Sequence, residues 1–166
     1  MAKILPVFLP FASCGNKCIF CDQQAISGVK AENNLTALAE NQIKTWLLYG
    51  LSYDELAFYG GNFAAIKRQE RETLYKLAYD NGFKKIRFST RPDTINNETL
   101  SEIKDYNISL VELGIQSLDN NVLKANGRPY TNMQAEKAVD DILNITDCGV
   151  QLMAGMYKQN LYSCID

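Results

Sequence analysis

The 166-residue sequence contains no histidine. Histidine is the commonest acid–base residue near neutral pH and a frequent metal ligand, so its absence excludes histidine-based catalysis and histidine-ligated metal sites. The sequence has no excess of basic residues either, since it contains 17 lysines and arginines and 19 acidic residues, which gives a net charge of −2. A chain with this balance has no broad basic surface for nucleic acid.

Long apolar runs are also missing. No stretch of the sequence is long enough to span a bilayer, so we predict no membrane association. The short apolar run before Cys14 carries Pro6 and Pro10 and only Lys3 precedes it, which makes it a poor secretory or lipoprotein signal. Free cysteines without a signal peptide are typical of the reducing cytoplasm, which we predict as the location.

The spacing of apolar residues predicts strands and helices in alternation. Short apolar runs predict strands over residues 4–9, 56–59, 86–89, 110–113 and 150–153. Helical spacing predicts helices over 35–49 behind Asn34, over 68–81, and over 98–106 behind Asn96 or Asn97. It also predicts a brief helix behind Asp119 and a helix behind Thr131 that ends at Gly149. The last helix is expected to turn five side chains inward: Ala135, Ala138, Val139, Ile142 and Leu143.

This alternation indicates repeated βαβ units around a parallel sheet. Right-handed crossovers in one direction curl such a sheet into a barrel or part of one, and about eight units are needed for closure. We therefore predict an α/β fold, a partial (β/α) barrel of about five units, as one domain over residues 1–166. Functional groups in such folds lie at the carboxyl ends of the strands.

A cluster of cysteines, Cys14, Cys18 and Cys21, follows the first predicted strand with the spacing C-x3-C-x2-C. Three thiolates suit an iron–sulfur cluster or zinc, and on a [4Fe–4S] cubane they would leave the fourth iron open to a ligand. Zinc would need Cys148 or Cys164 as a fourth ligand, but neither lies in a second short knuckle. A disulfide framework is disfavoured because five cysteines is an odd number.

The cysteine loop resembles the cluster-binding loop of the radical S-adenosylmethionine (radical SAM) superfamily, in which an aromatic residue precedes the last cysteine, as Phe20 does here. The resemblance implies that Cys14, Cys18 and Cys21 hold a [4Fe–4S] cluster and that Phe20 lies in the cofactor site. It also implies that the open iron chelates S-adenosylmethionine (SAM), which the reduced cluster splits into methionine and a 5′-deoxyadenosyl radical. The family core is a six-unit partial barrel, so about five of six units are present.

Further motifs follow the next predicted strands, in the order that the family has them. By resemblance, the Gly60-Gly61-Asn62 turn binds the methionyl amino group of SAM, Gln116 reaches its ribose, and Arg128 pairs with its carboxylate. Taken alone, the two glycines would be a tight turn and the arginine a surface residue. No catalytic residue is assigned from the sequence.

Two segments resemble the Elongator catalytic subunit in particular. These are Ser89-Thr90-Arg91-Pro92-Asp93, after the third strand, and residues 111–119, after the fourth. Ser89 stands where Elongator and the oxygen-independent coproporphyrinogen oxidases carry an acid, so the resemblance implies that one cofactor contact is lost. We expect no acetyltransferase domain after this segment, so the wobble-uridine chemistry of full Elongator proteins is not carried over.

The resemblance predicts an enzyme that cleaves SAM reductively and acts on an unknown substrate, with tRNA suggested by analogy with Elongator. A one-electron donor of the flavodoxin or ferredoxin type would be its partner. We also expect the chain to be truncated at its C-terminal end, with the fifth strand at an exposed edge that a second copy or a partner chain covers. The alternatives are a non-catalytic cluster- or zinc-binding module and an inactive fragment of a larger radical enzyme.

Overall fold

A computed structural model describes residues 3–10, 13–15, 18–23, 25 and 34–160. In these ranges strands and helices alternate. The strands are β1 (Ile4–Leu9), β2 (Glu55–Gly60), β3 (Ile86–Thr90), β4 (Ile108–Gln116) and β5 (Asp147–Leu152). The helices are α1 (Leu35–Leu47), α2 (Arg68–Asp80), α3 (Asn97–Asp105), α4 (Asn120–Ala125) and α5 (Asn132–Leu143). Single 3-10 turns follow β2 (Phe63–Ala65) and β3 (Pro92–Thr94).

The five strands form one sheet in the order β1-β2-β3-β4-β5, and every neighbouring pair is parallel. Because the order in the sheet equals the order in the chain, each crossover advances by one strand, as it does in a barrel. The prediction of an α/β fold with five units in an open, partial barrel is therefore confirmed. The predicted position of the fifth strand is also confirmed, since among the described strands β5 pairs with β4 alone, and its Val150 and Leu152 are 49% and 58% exposed.

One face of the sheet carries the hydrophobic core. Alternate residues of the strands point to this face and are buried against the helices. Phe63, in the turn after β2, stacks on Phe58 of β2 at 5.0 Å and on Phe88 of β3 at 4.9 Å between ring centroids. Burying a side chain of this size contributes about 1.5–3 kcal/mol, so the turn that follows β2 is fixed by the core beneath it.

The opposite face of the sheet, called here the inner face, is polar near its centre. Arg87 of β3 donates from Nε to Oε2 of Glu55 at 2.8 Å and lies 3.4 Å from Oε1 of Glu112 on β4. Tyr59 of β2 donates its hydroxyl to the same Glu112 oxygen at 3.3 Å. Since β3 lies between β2 and β4, this last bond passes over β3.

A buried ion pair ties two helices to the turn after β2. Arg71 of α2 and Glu102 of α3 are 3% and 0% exposed, and they form a two-pronged pair with distances of 2.8 Å and 2.5 Å. Nη1 of Arg71 also donates to the backbone carbonyls of Ala64 and Ile66. The pair therefore holds the backbone of residues 64–66 as well as the two helices.

The predicted helix starts agree with the structure. Asn34, Asn96, Asp119 and Thr131 each accept hydrogen bonds from the first turn of the helix that follows, and Thr131 forms a reciprocal capping box with Gln134. These caps were readable from the sequence because each acts within three residues.

The predicted end of the last helix is wrong. Helix α5 stops at Leu143, six residues before Gly149, and the N–H groups of Ile145 and Thr146 turn back to the carbonyl of Ile142. Cys148 and Gly149 therefore belong to β5. Leu143, expected to face inward, lies at the end of the helix and is 57% exposed.

None of the helices described here combines the length and the apolar character needed to cross a membrane.

Candidate active site

The cysteine loop lies at the carboxyl edge of the sheet. Of its three thiols, that of Cys14 is half-buried, that of Cys18 is buried, and Cys21 is exposed. Burial raises the pKa of the Cys14 thiol, and the neighbouring Cys18 and Cys21 raise it further, whereas Arg91 and Arg128 lower it. The thiol of Cys14 therefore lies in a region that carries both cysteines and positive charge.

The described side chains do not form a closed metal site. Among the residues that the structure describes, no three Cys, Asp or Glu side chains converge closely enough to hold a metal ion. The loop residues Asn16 and Lys17, between Cys14 and Cys18, lie outside the described ranges. The donor set itself, three cysteine sulfurs, fits a [4Fe–4S] cluster with one iron left open, and the nearby guanidinium groups suit its negative charge.

The loop is fixed to the segment that follows α4. Nη1 of Arg128 donates to Sγ of Cys18 at 3.2 Å, and the N–H of Ile19 donates to the carbonyl of Asn126 at 3.3 Å. Phe20, the predicted aromatic of the site, follows Ile19 and is half-buried. These contacts bring the predicted residue Arg128 next to the cysteines, 110 residues away in sequence.

Gly60 and Gly61 lie at the base of the same loop, against the end of β1. Gly60 has a φ of +108°, and a Cβ at this position would lie 2.5 Å from the carbonyl oxygen of Leu9. The N–H of Gly61 donates to that same oxygen at 3.1 Å. Only glycine permits this close approach, so the paired glycines hold β2 against the strand from which the cysteine loop leaves.

The side chain of Asn62 is buried, at 1% exposed, and joins the ends of β2 and β3. Its Oδ1 accepts from the backbone N–H of Arg91 at 3.2 Å and lies 2.6 and 3.0 Å from the hydroxyls of Thr90 and Thr94. The side-chain oxygen of Asn62 therefore makes its hydrogen bonds within the protein. The group left over is the amide nitrogen Nδ2, which has no partner in the described structure.

Gln116 occupies a strained position at the end of β4. Its φ is +74°, and the pairing of β4 with β5 shifts register between Gly114 and Gln116. Bulges and left-handed residues of this kind cluster at functional sites, where they redirect a side chain. The side-chain nitrogen of Gln116 lies 3.5 Å from Oε1 of Gln151, and its own Oε1 is buried without a partner among the described residues.

Gly114 provides the space for this arrangement, because a Cβ there would lie 2.9 Å from the side-chain nitrogen of Gln116. Arg128 sits over the same glycine and donates from Nη2 to its carbonyl oxygen. Nε of Arg128 donates to the hydroxyl of Tyr130 at 2.7 Å, and the guanidinium lies 4.9 Å from the centre of that ring. Burial raises the pKa of Tyr130 to about 12.

Arg91 was assigned no role from the sequence, and the structure places it at the site. Its Nε and Nη2 pair with the carboxylate of Asp93 at 2.9 and 2.6 Å, and its Nη1 is buried with no partner in the part of the chain that the structure describes. Burial lowers the pKa of Arg91, but Asp93 and the nearby Cys14 and Cys18 raise it by more, so the guanidinium stays charged. Its position directly after β3 was the signal that could have identified it.

Ser89, the serine in the place of an expected acid, has a carboxylate beside it. Ser89 and Glu112 are paired residues on β3 and β4, and the Tyr59–Glu112 hydrogen bond crosses β3 at this level. Gly149 of β5 leaves room for Glu112, since a Cβ there would lie 3.2 Å from its Cγ. The inner face therefore carries negative charge next to Ser89.

The remaining candidates lie elsewhere. Cys148 is in β5 and packs partly against the core, away from the cysteine loop, and Cys164 is outside the described residues. Met156, near the end of the described chain, is buried at 5% exposed and belongs to the core.

Comparisons with known proteins agree with one another. A family model described as the radical SAM superfamily matches residues 8–162. An oxygen-independent coproporphyrinogen-III oxidase-like protein, HemZ of Bacillus subtilis, is 30% identical over 75% of this chain.

Solved structures share the fold. The coproporphyrinogen III oxidase HemN of Escherichia coli, a radical SAM enzyme, superposes on 98% of the chain with a TM-score of 0.76 and 21% identity. Elp3 of the archaeon Methanocaldococcus infernus superposes on 97% with a TM-score of 0.67 and 16% identity. The chain spans 28% of the length of HemZ and 40% of each of these two structures.

Proposed function

The chain belongs to the radical SAM superfamily, a superfamily of enzymes that generally use a [4Fe–4S] cluster and SAM, and from this premise we propose that it binds both at the carboxyl edge of its sheet. Its reaction is the reductive cleavage of SAM. The cluster and cofactor positions are supported by the placement of the cysteine loop beside the ends of β2, β3 and β4.

One observation carries the proposal. Around the cysteine loop, Asn62, Arg91 and Gln116 each present a buried polar atom that has no partner in the described structure. A buried group left unpaired costs about 1–3 kcal/mol, and native proteins keep few of them. Three such groups at the ends of three adjacent strands are explained by a polar ligand that pairs with them, and SAM offers hydroxyls, a carboxylate and an ammonium.

The residues have separate tasks in this site. Cys14, Cys18 and Cys21 would hold the [4Fe–4S] cluster, which when bound supplies the electron that splits SAM and releases a 5′-deoxyadenosyl radical. Gly60 and Gly61 let the backbone lie close to the ligand, and Gln116 offers Oε1 to a ribose hydroxyl.

Arginine side chains add the positive charge of the site. Arg91 and Arg128 both act on the thiol of Cys14 and lower its pKa, opposing the effect of burial. They favour the thiolate forms that bind iron and oppose the charge repulsion among three thiolates.

The substrate is proposed to lie over the inner face of the sheet, next to the cofactor. Tyr59, Arg87 and Glu112 form the polar cluster there, and Glu112 keeps a side-chain exposure of 32%. A tRNA substrate and a flavodoxin- or ferredoxin-like electron donor stay predictions. A mobility shift with total tRNA at two salt concentrations tests the first, because nucleic-acid binding weakens steeply with salt.

Anaerobic reconstitution with iron and sulfide tests the proposed cofactors. We expect about four irons per chain and a broad visible absorption that dithionite bleaches. The variants Cys14→Ala, Cys18→Ala and Cys21→Ala should each lose the absorption, whereas Cys148→Ala, a matched change in β5, should retain it.

The reduced protein should then convert SAM into 5′-deoxyadenosine, measured by chromatography. A colourless protein with one tightly bound zinc would contradict the proposal and favour a zinc-binding module. A cluster whose assembly depends on Cys148 would contradict the assignment of the three ligands.

A further inference from the structure

An exposed surface lies directly outside Cys18. Ile19, the next residue, is 63% exposed, and Tyr157, in the segment that follows β5, is 61% exposed. Asn126, which is itself buried, holds both: its carbonyl accepts from the N–H of Ile19 at 3.3 Å, and its Nδ2 donates to the carbonyl of Tyr157 at 2.9 Å. Two large side chains with apolar surface are therefore exposed beside a cysteine of the proposed cluster site.

The segments that meet at this surface are basic, in a chain of net negative charge. Nη1 of Arg128 contacts Sγ of Cys18, and Asn126 contacts the segment after β5. Three segments are joined in this way: residues 18–21, 120–135 and 148–160. None of the three contains aspartate or glutamate, although the whole chain has 19 acidic residues and a net charge of −2. Their basic residues are Lys124, Arg128 and Lys158.

The two lysines of these segments are exposed, and neither forms an ion pair with a described residue. Nζ of Lys158 lies 5.8 Å from the centre of the Tyr157 ring, and Lys124 lies in the last turn of α4. Three other lysines are instead paired with a carboxylate four residues away: Lys44, Lys76 and Lys137. Asp22, the first acidic residue after the loop, accepts from the N–H of Ala25. The charges of Lys124 and Lys158 are therefore available to a partner.

An apolar centre with positive charge at its margin suits a protein partner that carries negative charge around its own contact. Nucleic acid fits less well, because binding along a phosphate backbone depends on many basic contacts and this surface offers few. The proposed reductive cleavage consumes one electron in each turnover, and a separate carrier must bring that electron to the cluster. The surface named by Ile19, Lys124, Tyr157 and Lys158, called here the cysteine-loop surface, lies where such a carrier would come closest to Cys18.

We propose, resting on the function proposed above, that the cysteine-loop surface docks an acidic one-electron carrier protein and that the electron enters the cluster on the side of Cys18. In this step one electron leaves the reduced carrier and enters the oxidised cluster, and no bond forms or breaks. Lys124 and Lys158 attract and orient the carrier, whereas Ile19 and Tyr157 form the apolar contact. The path is short, because Ile19 is bonded to Cys18 and its N–H is fixed to Asn126.

Charge reversal tests the positive part of the surface. The double variant Lys124→Glu/Lys158→Glu is compared with Lys84→Glu/Lys85→Glu, which makes the same change of net charge at two exposed residues just before β3, at the opposite edge of the sheet. The measurement is stopped-flow oxidation of flavodoxin hydroquinone by the reconstituted full chain, under anaerobic conditions and at several salt concentrations. Lys124→Glu/Lys158→Glu should lower the second-order rate constant about 10-fold or more at low salt, and the difference should shrink as salt is added. The control pair should stay within about threefold of the parent.

Tyr157→Ser tests the apolar part. Asn126 donates to the backbone carbonyl of Tyr157, so the substitution keeps that hydrogen bond. Because exposed aromatic residues often dominate a protein contact, the flavodoxin concentration that gives the half-maximal rate should rise about fivefold or more, with the salt dependence unchanged. Tyr49→Ser is the matched control, since Tyr49 is 68% exposed and follows α1, away from the cysteine loop. It should leave this concentration within about twofold of the parent value.

Dithionite, a small reductant that needs no docking surface, should reduce the cluster of every variant to the same extent. Equal losses of rate in the two lysine pairs, or no loss in either, would overturn the inference.

The remaining outcomes separate this inference from the proposed function. If Lys124→Glu/Lys158→Glu abolishes a mobility shift with total tRNA but accepts electrons as the parent does, the surface binds nucleic acid and the inference is wrong. A parent cluster that dithionite reduces, but that neither flavodoxin nor a [2Fe–2S] ferredoxin reduces, contradicts the inference alone. A parent protein without a cluster that dithionite bleaches contradicts the proposed function, and the inference with it.

Discussion

At the residue scale, Tyr130 holds Arg128 and the end of β4 in place through the hydrogen bonds of its hydroxyl. Its hydroxyl accepts from Arg128 and lies 2.7 and 2.8 Å from the carbonyls of Gly114 and Ile115, at the bulge that ends β4. Because the residue is 4% exposed, these groups have no water to replace the hydroxyl. Tyr130 therefore couples the position of Arg128 to the backbone beside Gln116.

Tyr130→Phe should lower the free energy of unfolding at pH 7 by about 1–3 kcal/mol, because Nε of Arg128 and the carbonyl of Ile115 lose this partner, whereas the carbonyl of Gly114 keeps Nη2 of Arg128. Burial raises the folded-state pKa of Tyr130 to about 12, while the unfolded chain ionises near pH 10. The contribution of Tyr130 is thus full below pH 10 and is lost as the pH rises to 12. Urea unfolding at several pH values should show the difference between parent and variant shrinking over this window, by up to about 2 kcal/mol. A difference that stays constant from pH 9 to about 12 would contradict the assignment.

Gly60 tests a second residue-scale claim, that β1 and β2 meet too closely for a side chain. Gly60→Ala should lower the free energy of unfolding by about 2–5 kcal/mol, because the positive φ is unfavourable for alanine and the added Cβ would clash with Leu9. Gly50→Ala is the matched control, because Gly50 also has a positive φ, +67°, but a Cβ added there would meet no described atom within 4 Å. It should cost only about 1–2 kcal/mol. Equal losses in denaturant unfolding would show that the close approach is unimportant.

At the scale of elements, the sequence predicted what depends on near neighbours and missed what depends on distant ones. The helix caps and the strand cores follow local rules, and both agree with the structure. Gly149 was interpreted as a helix stop, whereas it lies in β5 and leaves space for Glu112 on the neighbouring strand. No local pattern distinguishes these two uses of a glycine.

The same reasoning applies to the candidate site. The cysteine spacing and the turn residues were visible in the sequence, which predicted Arg128 for the cofactor site but not the contact with Cys18 that the structure shows. Arg91 was missed because its importance comes from its unpaired Nη1, which depends on Asp93 taking the other two nitrogens. The hydrogen bonds of the Asn62 side-chain oxygen with Thr90 and Arg91 likewise depend on how the ends of β2 and β3 pack together.

Among the contacts between helices, loss of the buried ion pair of Arg71 and Glu102 should lower the free energy of unfolding most. Glu102→Gln leaves the guanidinium of Arg71, a residue that is 3% exposed, without its full counter-charge. This change should lower the free energy of unfolding by about 3–5 kcal/mol. Glu72→Gln removes the exposed partner of Arg68 and should cost less than about 1 kcal/mol. Denaturant unfolding of the two variants checks this order, and a Glu102→Gln protein as stable as Glu72→Gln would contradict it.

At the scale of the whole molecule, the five parallel strands that the structure describes form one sheet with an open side. β5 ends the described sheet, with Val150 and Leu152 exposed beyond their pairing with β4. Unpaired edges and open apolar faces favour association, so a second copy or a partner chain against β5 stays our prediction for the assembled protein. The cysteine loop lies at the carboxyl edge of the same sheet, beside the strands that would contact the cofactor.

The central claim is that this chain binds a [4Fe–4S] cluster whose open iron receives SAM. The electron paramagnetic resonance spectrum of the reconstituted, dithionite-reduced protein, recorded before and after addition of SAM, tests it most directly. We expect a signal from a reduced [4Fe–4S] cluster whose g values shift when SAM binds to the cluster. A cluster signal that SAM leaves unchanged, or a reconstituted protein without any such signal, would contradict it.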